Sequence, residues 1–336
     1  MFFRWFHKMF TMYTFYVDGV YIIVYAVNIM KYADFKRQPL FWNGMAMLVL
    51  TVSMIPLVFL DTRTLFGVNL WIKPIKFSLS LGIYSFSTIW ILQRFLADWR
   101  HRSKTQIALT ITSAIEIILI TWQAARGEAS HFNVSSTWNQ VVFSIMGTSI
   151  SIFWLFHLGI IFPILKQKQM ATSVRESLLW GLTIAGFGMI IGFFMTQPRP
   201  EQLELMQKGI FQTSGGHSFG TGEQGSGLFF FGWSTVIGDM RVPHFFGMHV
   251  MQVFFVLAAY LLQWKESAEQ KIVVRIIGIL ILSMNVMMVI QTLWGFSIFS
   301  YHPSFTPSYA IILLILFSLG IRLFSIPKIS EPEVTV

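Results

Sequence analysis

Apolar runs long enough to cross a membrane recur along the whole of this chain, and no other feature narrows its fold as much. A spanning helix needs about 20 mainly apolar residues, because the hydrocarbon core is roughly 30 Å thick and a helix rises about 1.5 Å per residue. Such runs lie at about 42–60, 77–95, 106–125, 141–164, 178–196, 245–263, 276–296 and 308–325. An earlier run, about 9–30, is long enough but contains Asp18, so it either spans or lies at the interface. The expected fold is all-α, a polytopic transmembrane helix bundle with eight to nine spanning helices. Residues 1–336 then form a single integral membrane domain, with one long outer loop, 198–242, rich in Gly and aromatic residues.

Composition agrees with that class. Charged residues make up 12% of the chain and hydrophobic ones 54%, whereas a soluble domain carries about 25% charged residues. With no cysteine, disulfides, thiolate metal sites and cysteine nucleophiles are excluded. The formal charge of +9 sits in short loops, where it orients helices and meets anionic lipid. The expected partners are therefore membrane lipids and not nucleic acid; the sequence is silent on oligomeric state. Met1 to Lys8 is basic, but no small-residue cleavage site follows, so this segment is expected to be retained.

Basic residues also predict orientation, because cytoplasmic loops carry the excess of Lys and Arg. One set of junctions, from Lys31, Lys36 and Arg37 through Arg94–Lys104, Lys166–Arg175 and Lys265–Arg275 to Arg322 and Lys328, holds 15 of the 24 basic residues. That set is expected on the cytoplasmic side, with the C-terminus. The other junctions then face outward, and so does the N-terminus if the first run spans. Arg4 and Lys8 run mildly against that last point.

The unusual polar stretches fall at the outward junctions. They are Trp71-Ile-Lys-Pro-Ile-Lys-Phe77, Gln123-Ala-Ala-Arg-Gly-Glu-Ala-Ser-His-Phe-Asn133, Met195-Thr-Gln-Pro-Arg-Pro200 and Gly238-Asp-Met-Arg-Val-Pro-His-Phe-Phe-Gly-Met-His249. Four segments distant in sequence are thus expected to meet at one end of the bundle. Depth follows from helical rise: Glu116 lies roughly 13 Å inside its outer helix end, His249 about 10 Å inward from Pro243, and Gln252 about 14 Å. Gln291 approaches the same zone. A carboxylate at such depth costs several kcal/mol unless paired, which makes Glu116 a functional candidate, with Lys76, Arg126 or a protonated histidine as partner.

Glu116 and His249 are the candidate acid–base groups. Lys73, Lys76, Gln123, Arg126, Arg199, Arg241 and Gln252 are the candidate substrate-binding residues, their positive charge suiting a phosphate, a carboxylate or a lipid head group. Ordinary interfacial anchoring by snorkelling side chains competes with that role. No cofactor is identified. His131, Asp239 and His244 supply ligand types for zinc or another divalent metal, although His244 and His249 stand five apart and not three or four. Haem between His157 and His249 is disfavoured, since His157 lies about 24 Å deep; a buried, hydrogen-bonded histidine is expected there instead. Gly220-Thr-Gly-Glu-Gln-Gly225 has glycine-motif spacing but no strand before it, and is read as loop. Asn133-Val-Ser135 is a glycosylation sequon, relevant only in a secretory pathway.

On these four stretches the chain resembles a family of bacterial multi-pass membrane proteins of uncharacterised activity, with the pattern W-x-K-P-x-K-F, Q-A-A-R-G-x-x-S-H-F-N, M-T-x-P-x-P and G-D-x-R-V-P-H-F-x-G-x-H. The pattern spans about residues 60–260. The resemblance implies a bacterial cytoplasmic membrane and a shared outer site, and no activity. Glu116 and His157 lie outside its motifs. Three functions fit: a membrane-embedded enzyme acting on a lipid or anionic substrate near the outer leaflet, a transporter or solute-binding protein, and an assembly or sensory subunit. The mix of acids, bases and imidazoles favours the enzyme. Pro56 and the Gly-rich 181–192 segment hint at the discontinuous helices of transporters.

The orientation is directly testable. Single cysteines replacing Ser130 and Ser214 in this cysteine-free chain are expected to react with an impermeant maleimide from the outer side. Labelling only from the cytosol overturns the assignment.

Overall fold

The computed structural model describes residues 37–221, 227–228, 230–263 and 266–325. The apolar run at 9–30 lies outside the described residues, as do Lys31, Lys36, Lys265 and Lys328. Among the described residues, eight helices are long and apolar enough to cross a membrane. They are α1 (Pro39–Leu60), α2 (Ile72–Phe95), α3 (Arg102–Arg126), α4 (Thr137–Leu165), α5 (Thr172–Thr196), α7 (Arg241–Leu261), α8 (Ala268–Leu293) and α9 (Thr306–Ser325). All eight match the apolar runs of the sequence, making an all-α polytopic bundle.

Local chemistry sets the helix ends. Pro39 stands at the start of α1, where its missing N–H is no loss. Gly127 closes α3 in the left-handed region (φ 76°), its N–H bonded to Ala124 O. Ser136 caps α4 by accepting from the Asn139 N–H at 3.2 Å. Ser267 and Gln270 form a reciprocal capping box on α8.

The 198–242 segment is not all irregular. It holds a short helix, α6 (Pro200–Gln207), and strand β3 (Ser218–Phe219), which pairs antiparallel with β4 (Gly238–Asp239). A second small hairpin, β1 (Thr64–Leu65) and β2 (Val68–Asn69), joins α1 to α2. Phe66 and Gly67 turn it with positive φ, the backbone a tight hairpin requires.

Helix α5 sits at the centre of the bundle and packs closest on α7. A Cβ on Gly188 would stand 2.6 Å from Met248 N, and one on Gly247 2.7 Å from Gly188 Cα. Gly181 meets Phe254 and Gly192 meets His244 in the same way. Small residues at such spacing let helix backbones touch, the main source of packing where lipid surrounds the protein. The Gly-rich segment is therefore a packing face on a continuous helix and not a break. α1 likewise runs unbroken through Pro56. The transporter-like discontinuities expected at these two places are absent.

The interior is polarised along the membrane normal. The largest apolar core, including Leu92, Leu109, Ile160, Val174 and Leu178, gathers at the end opposite the four polar stretches. Between the two ends, interhelical hydrogen bonds tie α1, α2 and α3 through Asn43 with Ser85 (2.9 Å) and Ser113 (3.0 Å), and Thr51 with Ser78 (2.7 Å). His157 is fully buried: its Nε2–H donates to Leu182 O and its Nδ1 accepts from Tyr84 Oη, each at 2.9 Å. Both ring nitrogens are satisfied within the bundle, so the structural role expected for His157 holds.

The α5–α7 contact predicts an asymmetry between glycines. Gly188→Ala is expected to cost about 1–3 kcal/mol by overpacking, read as a lower unfolding temperature in detergent. Gly159→Ala, where an added Cβ meets nothing within 4 Å, is expected to be neutral or slightly stabilising.

Candidate functional site

All four polar stretches meet at one end of the bundle. Lys73 Nζ of α2 reaches His131 Nδ1, beyond α3, at 3.2 Å. Lys76 Nζ donates to Phe231 O at 3.0 Å. Asn133 pairs with Thr213 across a β-bridge, Gly216 N donates to Met195 O, and Gly238 N to Gly295 O. The expected convergence is real, and backbone bonds hold much of it.

Most of the positively charged groups are engaged by the protein. Arg63 forks onto Asp61 (2.7 and 2.9 Å) and also caps α3 by donating to Ala125 O. That pair, with Trp71 Nε1 donating to Asp61 as well, holds the Asp61 carboxyl well below the usual carboxylate range. Arg126 donates to Gln123 Oε1 at 2.6 Å, and Gln123 Nε2 donates to Asn139 Oδ1 at 3.0 Å. Gln123 is 0% exposed. Arg199 donates to Ser218 O and stacks over Phe219 at 4.4 Å. Arg241 forks onto Asp239 (2.6 and 2.9 Å) and donates to Gly232 O at 2.5 Å. Gln123, Arg126, Arg199 and Arg241, expected to hold substrate, thus brace the loops in this structure.

Asp239 organises the loop before α7. It is 1% exposed and accepts from the Ser234 and Arg241 backbone N–H groups as well as from the Arg241 side chain. Burial alone would raise its carboxyl, but the hydrogen bonds and charge of Arg241 outweigh that and hold it low. His217, 3.7 Å away, is pushed down to about 4 by burial and by Arg241. With both Asp239 oxygens so occupied, His131, Asp239 and His244 are not brought together as one ligand set. Among the described residues, no three His, Asp or Glu side chains are placed to hold a metal ion.

What remains is a cluster of polar side chains from α2, α3 and α7 with His131. Glu116 is 3% exposed and its Oε1 has no hydrogen-bond partner, yet it lies close enough to Lys73 for their charges to interact. An ammonium only donates, so His131 Nδ1 accepts and its ring proton sits on Nε2. Burial, then the charges of Lys73 and His244, hold the His131 imidazole well below its ordinary value. His244 Nδ1 bonds Gly188 O at 2.7 Å, and His249 Nε2 stands 3.3 Å from Ser80 Oγ. Phe245 stacks on His249 and meets Phe77 and Trp233 edge-on or tilted, forming an aromatic wall. Gln252, one turn below His249, has an unpartnered Oε1, as does Gln291, which donates to Ser297 O.

Ser80, Phe245 and Trp233 were not among the expected site residues. For Ser80 a signal existed: it lies seven residues after Lys73 and four after Lys76, on one helical face. Trp233 had none, because only the loop's path puts it there. Comparison with protein-family models, with curated proteins and with solved structures gave no match.

The depressed histidines carry a pH dependence. Their unfolded forms bind protons below about pH 6.5 while the folded forms do not, so their neutral burial stabilises fully above that value. The contribution is lost as pH falls toward about 4 for His217. The Asp239 contribution disappears only below the ordinary carboxylate range. Unfolding temperature in detergent is expected to fall from pH 7 to pH 5, and less steeply in His217→Asn. A rise on acidification contradicts the arrangement.

Proposed function

We propose that this chain is a membrane-embedded enzyme that performs acid–base chemistry, at the polar end of the bundle, on an anionic or lipid-like substrate. The observation that carries this reading is Glu116, buried beside Lys73 with its Oε1 lacking a hydrogen-bond partner. Such a carboxyl is costly in an apolar bundle, and groups of this kind are characteristic of sites that exchange protons. Glu116 takes or gives the proton. Lys73 compensates its charge, and His249, positioned by Ser80 and Phe245, is the second acid–base group.

The sealed apolar end supports chemistry at one face over passage through the bundle. The basic-residue distribution supports the polar end facing outward, with the C-terminus cytoplasmic. The motif resemblance supports a bacterial cytoplasmic membrane.

The test is lipid mass spectrometry on membranes from cells expressing wild type, Glu116→Gln and His249→Ala at equal levels. Wild type is expected to convert one lipid species into another, and Glu116→Gln to slow that conversion by about 100-fold or more. Indistinguishable lipid profiles across all three overturn the enzymatic reading.

A further inference from the structure

We propose that the groove between α3 and α4 binds an anionic phospholipid of the leaflet at the end opposite the four polar stretches, with an acyl chain along the groove and the head group at Lys104. This site is separate from Glu116 and does not rest on the enzymatic reading.

The groove has a volume of about 460 Å³ and is lined on α3 by Ala108, Ile111, Thr112 and Ile115, and on α4 by the face from Ser144 to Ile152. Ile111, Ile145 and Ile152 are exposed, so the groove opens sideways from two spanning helices, where lipid lies. Lys104 continues its α3 side. Lys104, Ala108, Ile111 and Ile115 follow one another at spacings of four, three and four, and so share one helical face. From Lys104 to Ile115 the helix rises about 16 Å, half of the roughly 30 Å hydrocarbon core. That is the depth of the acyl chains of one leaflet.

Charge identifies the head group. At this end of the bundle Lys271 pairs with Glu266, Arg275 with Glu176 and Arg322 with Glu269, all around α5, α8 and α9. The side formed by α2, α3 and α4 lacks such pairs. Among the described residues, Arg94, Arg100, Lys104, Lys166 and Lys168 make no ion pair and no side-chain hydrogen bond, while Arg102 donates to Gln93 Oε1 at 3.2 Å. Asp98 is the one carboxylate in the α2–α3 junction, and the α4–α5 junction has none. The two junctions touch, since Gln167 Nε2 donates to Phe95 O at 2.8 Å. Helix α3 also starts with no side-chain cap and no acidic residue in its first turn, which carries Arg102 and Lys104 instead. Cations at the positive end of a helix are unfavourable until an anion joins them. A phosphodiester anchored by its chains in the adjoining groove supplies that anion.

A second groove, about 440 Å³ between α4 and α5, is lined by Leu155, Phe193, Phe194 and Gln197 among others. It is also apolar but reaches an uncharged glutamine, which makes it an internal control. The hydroxyls of the first groove differ in their bonding. Thr112 donates to Ala108 O and Ser149 to Thr112 O, whereas Ser144 and Thr148, one turn apart, are exposed and unbonded. Such hydroxyls can also bond across to a helix of a second copy. The unpaired cations on the same face favour the lipid over that occupant.

The experiment is native mass spectrometry of the purified full chain in uncharged detergent, with dioleoyl phosphatidylglycerol or dioleoyl phosphatidylcholine added at equal concentration. Wild type is expected to retain phosphatidylglycerol about fivefold or more better than the zwitterionic lipid. Lys104→Gln is expected to remove about that factor, and Lys104→Arg to keep it. Thr148→Phe, filling the groove from an exposed position, is expected to lower retention of phosphatidylglycerol, while Leu155→Phe in the second groove leaves it unchanged. Equal retention of the two lipids, Lys104→Gln matching wild type, or Leu155→Phe weakening retention as much as Thr148→Phe overturns the proposal. So does a dimer that excludes lipid and dissociates in Thr148→Phe, which assigns the groove to a second copy. Should Thr148→Phe not fold, Lys104→Gln and Lys104→Arg decide alone.

Discussion

The contact between Gly188 of α5 and Gly247 of α7 is the constraint on which the polar end depends. In lipid there is little hydrophobic drive to bring helices together, so close backbone packing has to do it. With α5 and α7 touching, the His244 ring lies against Gly192 and reaches the Gly188 carbonyl. The chain between the two helices, more than forty residues by the helix boundaries, must then rise and return from almost the same point. It does so by pairing β3 with β4 and docking Asp239 beneath Arg241. The stacked pair of Phe245 and His249 inherits its position from that one contact.

A second constraint is the handling of charge away from bulk water. Cations at the polar end mostly have protein partners: Arg63 pairs with Asp61, Arg241 with Asp239, and Arg126 and Arg199 donate to uncharged amide and carbonyl oxygens. Each such group doubles as a strut, because a guanidinium can bridge two acceptors at fixed geometry. Against that pattern Glu116 is conspicuous, as a buried carboxyl with an unpartnered Oε1. The lysines differ in kind from the arginines, being compact point charges and not planar forks.

Much of the architecture was legible beforehand because hydropathy acts over whole segments. Eight apolar runs became eight helices, with ends shifted by a few residues where Pro39, Gly127 and Ser136 acted as local signals. The meeting of four distant stretches followed from alternation of sides, which helix count alone imposes. Helix α6 escaped notice inside a loop defined by its glycines, although Pro200 followed by Glu201 is a helix-start signal. The meaning of the Gly-rich 181–192 segment was open: glycine permits a break as readily as a close contact, and only the partner helix distinguishes them.

By itself the sequence determined the bundle and the gathering of the motifs at one end, because both depend on the number and apolarity of residues along single segments. Only the tertiary structure decided which polar groups are free. Arg126, Arg199 and Arg241 look identical to Lys73 and Lys76 as charges on a line of text, yet their acceptors come from Gln123, Ser218 and Asp239 at geometries that spacing does not specify. Pairing of polar groups is a short-range matter of ångströms and angles, whereas membrane insertion sums over tens of residues. That difference in range is why the fold could be read in advance and the pairing of polar groups could not.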